Sequence, residues 1–348
     1  MKILIHLLPG VGNSLMFTPT LREIRAYFKD AEIHVLVMYK SCYDILKYNS
    51  NIDKLILWEF QKKGHIKSFF YALKLRKENY DVSITPFPAN KFYYSIVNFL
   101  IGGKERISHK YPINKFLTAG YLFTRRIPIN RKFHEIEENL ELIKLIGINS
   151  TEENKNLDIF IDANSMKYAN DFIKTSNIEE NDRIVGLHPG SSEQVGMINK
   201  RWDKDKFVKV ADLLSEKYKC KILLFGGKNE DQLKQYIYEA MKNKPIIVTT
   251  DDISQTAAVI SKCSAFLTND TGLMHIAAAI GIPVVVIEGP VDPIRTAPLT
   301  EKTTIVCLPL LCRPCYKVGA TLKCSFGHYN CLKYIDVDKV VHEVVKYL

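Results

Sequence analysis

Two short polar turns carry the side chains with most chemistry to offer: Asn269-Asp270-Thr271-Gly272 and His188-Pro189-Gly190-Ser191-Ser192. Each follows an apolar run, Ser264 to Leu267 in the first case and Arg183 to Leu187 in the second. Behind the first turn, Leu273 to Ile280 reads as an Ala-rich helix that Gly281-Ile282-Pro283 stops. Pro283 to Ile287 is then a continuous apolar run of the kind found in parallel sheets. This order places the turn at the carboxyl end of a strand, where open α/β sheets bind ligands. The N–H groups of Thr271 to Met274 would face an anion such as a diphosphate. Gly272 lets the backbone approach it. Asp270 repels an anion; it suits ribose or sugar hydroxyls, or it caps the helix. The turn alone leaves those two readings level.

Further candidates lie near these turns. Lys200 stands two residues before Trp202. Glu230 follows Gly226-Gly227 and either binds ribose hydroxyls or opens a helix, where acids are favoured. His275 falls one turn into the Ala-rich helix, and a lone His there is usually structural. A third turn, Gly10-Val11-Gly12-Asn13-Ser14, follows the first apolar run, Lys2 to Leu8. It fits a dinucleotide fingerprint badly. Leu15 occupies the third small position, and Tyr39-Lys40 stand where an acid is wanted. No Gly-Lys-Ser/Thr follows, so it is not a phosphate-binding P-loop either.

The segment NDTGLMHIAAAIGIPVVVIEGPVDP resembles the signature of glycosyltransferase family 9, the bacterial ADP-heptose:lipopolysaccharide heptosyltransferases. That family has a D-[ST]-G-x-x-H turn, then a strand, then a GPTDP-like segment; Gly289-Pro290-Val291-Asp292-Pro293 fills the last place. Gly10 to Pro19 is similar to the family's opening G-x-G-D-x-[LV]-x-x-[TS]-P, and His188 to Trp202 to its H-P-G-[ST]-[ST] turn followed by Lys-x-Trp. The resemblance implies a GT-B fold, with two Rossmann-like domains facing a cleft. It implies donor contacts from Ser191, Ser192, Lys200, Glu230, Asp270, Thr271, Gly272, Leu273 and His275, and an acceptor side around Gly10, Gly12 and Asn13. The reaction would be inverting transfer of a heptose, or a related sugar, from an ADP-linked donor to the lipopolysaccharide inner core. Ser191, Ser192 and Lys200 would cover the diphosphate, with no metal or other cofactor required.

One departure bears on the chemistry. The family's proposed base is the Asp of its first turn, and this chain has Asn13. An amide cannot take a proton near neutral pH. Asn13 would orient the acceptor hydroxyl while another group is the base; a sugar-nucleotide-binding pseudo-enzyme is the alternative, as is a different nucleotide sugar.

The elements that must hold these residues alternate as strand and helix. Glu32 to Met38, Asp53 to Leu57, Asp81 to Thr85 and Glu105 to Ser108 read as strands; Leu15 to Phe28, His65 to Lys77, Lys91 to Ile101 and His134 to Ile146 as helices. Tyr111 to Arg126 is aromatic and basic, an exposed acceptor-facing element or a packed domain edge. The polar run Asn149 to Asn156 marks a boundary. In the second half, Lys221 to Phe225 and Pro245 to Val248 are strands and Ser254 to Cys263 a helix. The domains expected are 1–155 and 156–335, with a closing helix in 336–348 that the resemblance sends back to the first domain.

The 348 residues carry 48 Lys and Arg against 38 Asp and Glu, a net charge of +10, with 47% apolar residues. This is an ordinary globular composition with a basic surface. It suits an anionic partner, here a phosphorylated glycolipid on the inner leaflet. Nucleic acid is disfavoured, because the basic residues are scattered and no recognised motif appears. No run reaches membrane-helix length, which implies a cytoplasmic protein bound peripherally to the inner membrane. Of eight cysteines, five crowd the tail. Buried thiols are the expected state there, with a structural zinc on Cys312, Cys315, Cys324 and Cys331 as the lesser reading.

Overall fold

The computed structural model describes residues 1–112, 115–150, 154–317 and 320–348. Residues 113 and 114 of the aromatic-basic stretch and 151–153 of the polar boundary run lie outside it. The chain divides into two compact units, Met1–Phe160 and Ile161–Leu348, the division falling a few residues beyond the expected 155.

Among the described residues of the first unit, six strands make one parallel sheet: β1 (Lys2–Leu7), β2 (Glu32–Val37), β3 (Lys54–Leu57), β4 (Val82–Ile84), β5 (Glu105–Lys110) and β6 (Arg125–Pro128). Their order is β3-β2-β1-β4-β5-β6. The strand order reverses beside β1, so the turn after β1 stands at a switch point of the sheet. Buried Ile3, Leu4, Ile5, Ile33, Val35, Leu36 and Val37 account for the unbroken apolar runs of β1 and β2.

In the second unit β7 (Ile184–His188), β8 (Lys221–Leu224), β9 (Ile246–Ile247), β10 (Ala265–Asn269), β11 (Val284–Ile287) and β12 (Thr303–Val306) repeat the plan in the order β12-β11-β10-β7-β8-β9, again all parallel. The order reverses between β7 and β10, and those two strands end in the two turns singled out above.

Three readings need correction. The first turn is not a loop through Ser14: a helix begins at Val11 with Gly10 as its N-cap, ends at Met16, and a second runs Thr18–Tyr27. The aromatic-basic stretch ends in β6, which pairs with β5 through Ile107↔Arg125 and His109↔Ile127. β10 extends through Asn269, so that residue closes a strand rather than opening a turn. The last helix, Val337–Val345, belongs to the second unit. Its Val340, Val341 and Val344 are buried in one core with Phe207, Leu214, Val285 and Ile335, and Tyr347 bonds Thr304 of β12 at 2.8 Å. Each buried side chain of that size is worth roughly 1.5–3 kcal/mol, which ties the helix to that core.

Candidate active site

The second unit brings three strand ends together through side chains. Asn269, fully buried at the end of β10, accepts from the Trp202 N–H at 2.9 Å and donates to the carbonyls of Pro189 (2.7 Å) and Gly190 (3.2 Å). One amide thus locks the β7 turn, the β10 turn and the segment bearing Lys200. His188 closes β7 with its ring nitrogens 3.2 Å from the Thr271 hydroxyl and 3.2 Å from Glu230 Oε2. The Glu230 carboxylate also accepts from the Gly227 N–H at 2.9 Å, and Arg201 stands 3.7 Å away. Burial alone would push this carboxyl up, but His188, the Gly227 N–H and Arg201 together hold it below the usual carboxylate range. A Cβ at Gly190 would fall 1.8 Å from Glu230 Oε1, which is why the turn needs glycine there.

Lys200 and Asp270 meet: Nζ to Oδ2 is 3.0 Å, with both side chains largely buried, 14% and 11% exposed. Asp270 immediately precedes Thr271, the N-cap of the helix Gly272–Ile280, and the cap has no side-chain hydrogen bond. The helix-capping reading of Asp270 therefore gives way to an ion pair. Thr271, Gly272 and Leu273 are half-buried at the helix start, while His275 is buried within it. The start of this helix, with its free N–H groups, therefore follows directly on one member of the Lys200–Asp270 ion pair.

The remaining expected donor residues are placed differently. Ser191 is buried and braces its own loop; its hydroxyl donates to the Met197 carbonyl at 3.0 Å and accepts from Arg201 Nε at 3.1 Å. Ser192 is exposed. Glu230 is built into the turn by His188 and Gly227.

In the first unit, Gly10, Gly12 and Asn13 are half-buried at the start of the helix Val11–Met16. Beyond its chain neighbours, no atom of the described residues lies within 4 Å of where a Cβ of Gly10 would stand. The Asn13 amide donates to Glu135 Oε2 at 2.8 Å. Glu135 begins the helix Glu135–Leu142, which His134 caps by accepting the Ile136 N–H while Glu137 accepts the His134 N–H. A carboxylate therefore stands one hydrogen bond from Asn13.

Sequence reasoning passed over Asn269 as a clamp, His188 and Arg201 as braces, Glu135, and Glu288. Glu288 directly follows β11, is fully buried, and neither carboxyl oxygen has a hydrogen-bond partner among the described residues. Ile287 pairs in register with Asn269, so Glu288 and Asp270 continue neighbouring strands. Burial first, and then the Asp270 and Asp292 carboxylates, push this acid well above the usual range against the pull of Arg313 and Lys200. A folded pKa above the unfolded one means stability that is present below the unfolded value near 4.5 and lost as pH rises through the folded value. Glu288→Gln should thus be more stable than the parent at neutral pH, with the gain growing across that window. Urea unfolding at stepped pH checks this, and parallel pH dependences in the two proteins would refute it.

A family model described as "Glycosyltransferase family 9 (heptosyltransferase)" matches residues 71–325. Lipooligosaccharide heptosyltransferase 2 of Campylobacter jejuni subsp. jejuni serotype O:2 is 28% identical over 349 residues, spanning 99% of this chain and 97% of that one. Lipopolysaccharide heptosyltransferase 3 of Escherichia coli K12 is 28% identical over 83% of each chain. Among solved structures, the family 9 glycosyltransferase from Veillonella parvula superposes with a TM-score of 0.82 at 23% identity, covering 99% of this chain and 96% of that one. E. coli ADP-heptose lps heptosyltransferase II gives 0.77 at 20% identity, covering 100% and 98%. Those likenesses establish the shared GT-B fold of two Rossmann-like domains, and the family model spans most of the sequence: the chain belongs to glycosyltransferase family 9, the heptosyltransferases, and is a glycosyltransferase.

Proposed function

We propose that this enzyme transfers a heptose from ADP-heptose to the lipopolysaccharide inner core with inversion at the anomeric carbon. The observation that carries the reading is the Lys200–Asp270 pair beside the start of the helix Gly272–Ile280, at the carboxyl ends of the second sheet. The second unit, in this reading, holds the donor. Lys200 and the N–H groups at Thr271 to Leu273 take the diphosphate; Asp270 orients Lys200 and meets sugar or ribose hydroxyls. The bond from the anomeric carbon to the diphosphate breaks, its electron pair leaving with ADP, while the acceptor oxygen forms the new bond. Negative charge grows on the leaving group in that step, and a fixed ammonium lowers the barrier. Fixed donors suffice for this, so no metal or cofactor enters the transfer.

The first unit, in the same reading, holds the acceptor beside Gly10, Gly12 and Asn13. Asn13 orients the acceptor hydroxyl and Glu135 accepts its proton, supplying the carboxylate that position 13 lacks.

Support for a peripheral site on the inner leaflet comes from the helix His65–Arg76, where Ile66, Phe69 and Phe70 are 77%, 44% and 65% exposed close to Lys62, Lys63 and Lys67. Apolar residues rimmed by lysines suit an anionic bilayer surface. No helix among the described residues is long and apolar enough to cross a membrane.

Calorimetry against ADP, UDP, GDP and CDP tests the donor assignment. ADP should bind selectively and Asp270→Ala should abolish binding while the protein stays folded. Equal affinity for the four nucleotides, or unchanged ADP affinity in the variant, would refute it.

A further inference from the structure

Glu288 is a buried acid that the chemistry above leaves without a task. It continues the strand beside Asp270, since Ile287 and Asn269 pair in register. Its carboxyl is fully buried, with no hydrogen-bond partner on either oxygen among the described residues. The backbone around it is pinned. The Glu288 N–H donates to the Val306 carbonyl of β12 at 3.0 Å. A Cβ at Gly289 would fall 2.6 Å from Leu332, and the Pro290 carbonyl accepts the N–H groups of Cys315 and Tyr316 at 3.0 and 3.1 Å. The carboxyl cannot swing out to water without unpacking that segment.

Beyond burial itself, four charged groups act on this acid: Asp270, Arg313, Lys200 and Asp292. Each is already committed elsewhere. Lys200 is paired with Asp270 at 3.0 Å. The Arg313 guanidinium donates to the carbonyls of Gly289, Val291 and Leu308. Asp292 accepts the Ile294 N–H at 3.1 Å. On the β12 side, the neighbouring Val306 is buried and brings no charge. An ionised Glu288 would be a buried anion without a counter-ion of its own, and such a group keeps its proton instead.

The Lys200–Asp270 pair is neutral as a whole. A neutral Glu288 leaves no net negative charge beside it, whereas an ionised Glu288 adds one where water cannot screen it. We propose that Glu288 is a positioning residue for the sugar-nucleotide donor: as a neutral carboxylic acid it keeps the Lys200–Asp270 pair open to an anionic diphosphate, so that donor binding is linked to the proton on Glu288. The inference rests on the reading that Lys200 and the helix start take the diphosphate. A bound diphosphate disfavours the ionised acid still more, so the complex holds this proton, drawn from solvent, more tightly than the free enzyme does. Donor affinity is therefore full below the free-enzyme pKa of Glu288. It falls as pH rises through the window between the free and bound values.

The test is calorimetry of ADP-heptose against the full chain from mildly acidic to alkaline pH; the diphosphate of this probe has no proton to lose over that range. Wild-type affinity should fall with rising pH, by up to about tenfold per pH unit, the limit for one linked proton. Buffers of different ionisation enthalpy should show proton uptake on binding in the same window. Glu288→Gln, neutral at every pH, should keep the low-pH affinity throughout and take up no proton there. Infrared spectra of the wild-type complex should show the C=O stretch of a protonated carboxyl, and Glu288→Gln should lack it. Donor binding that Asp270→Ala leaves unchanged would sink the donor reading and this proposal together. Binding that Asp270→Ala abolishes, but with the same pH dependence in wild type and Glu288→Gln, would leave the donor reading standing and overturn this proposal alone. So would a wild-type complex without proton uptake or a protonated-carboxyl band, a result that does not depend on how the variant folds.

Discussion

Lys200→Ala should lower kcat by about 30- to 1000-fold, the ~2–4 kcal/mol typical of removing one electrostatic group from a transition state. Ground-state binding of ADP-heptose should weaken less, because charge on the diphosphate peaks as the glycosidic bond breaks. The structure adds a reason for a large effect. Lys200 is the cationic partner of Asp270 at 3.0 Å, and Glu288 stands beside that carboxylate. Without the ammonium, Asp270 loses its ion-pair partner while it still neighbours the buried Glu288. Lys200→Arg keeps the charge and should recover part of the rate. Steady-state kinetics with both variants decide: a rise in KM with kcat unchanged would make Lys200 a uniform binding residue and remove it from the chemistry.

Glu135→Gln should lower kcat by about 10²- to 10⁴-fold, the usual range for loss of a general base. Adenine nucleotide affinity and the unfolding midpoint should stay close to wild type, since Gln keeps an oxygen acceptor for the Asn13 amide. The acidic limb of the pH–rate profile should flatten, because that limb reports the base. Asn13→Asp is the informative partner. By sequence alone, restoring the family's carboxylate should preserve or raise the rate. With Glu135 Oε2 2.8 Å from the Asn13 amide, two carboxylates would share that space and one must hold a proton. The variant's acidic limb should therefore move to higher pH, with the rate at neutral pH falling rather than rising. Wild-type kcat and an unchanged profile in Glu135→Gln would leave Glu135 as a brace for the helix Val11–Met16 and place the base elsewhere.

Much of this fold was legible because buried parallel strands are written as unbroken apolar runs, as in KILIHL, EIHVLV and VVVI. Where strands lie at an edge, that signal fails. β6 is Arg-Arg-Ile-Pro, exposed at both ends, and β12 is Thr-Thr-Ile-Val, largely half-buried, and neither stands out from loop. The helix Ala163–Thr175 was missed although Met166, Ala169, Phe172 and Ile173 follow helical spacing; only Ser165 and Ala169 are fully buried, and polar residues separate the apolar ones. The turns that carry Lys200 and Asp270 were visible as polar breaks after apolar runs. Their pairing was not, since it spans 70 residues, and the Asn13–Glu135 contact spans 122. Glu288 hid inside a strand pattern, a single acid after four aliphatic residues, and only its burial reveals it as unusual.

Transfer itself is the most direct measurement. Purified enzyme, ADP-heptose and a heptose-deficient lipopolysaccharide core should yield an acceptor heavier by one heptose, with ADP released in equal amount. Lys200→Ala and Glu135→Gln should slow that product to the extents given above. Release of ADP without a glycosylated acceptor, or tight ADP-heptose binding with no turnover on any core acceptor, would contradict the assignment and leave a fold that binds the sugar nucleotide without transferring it.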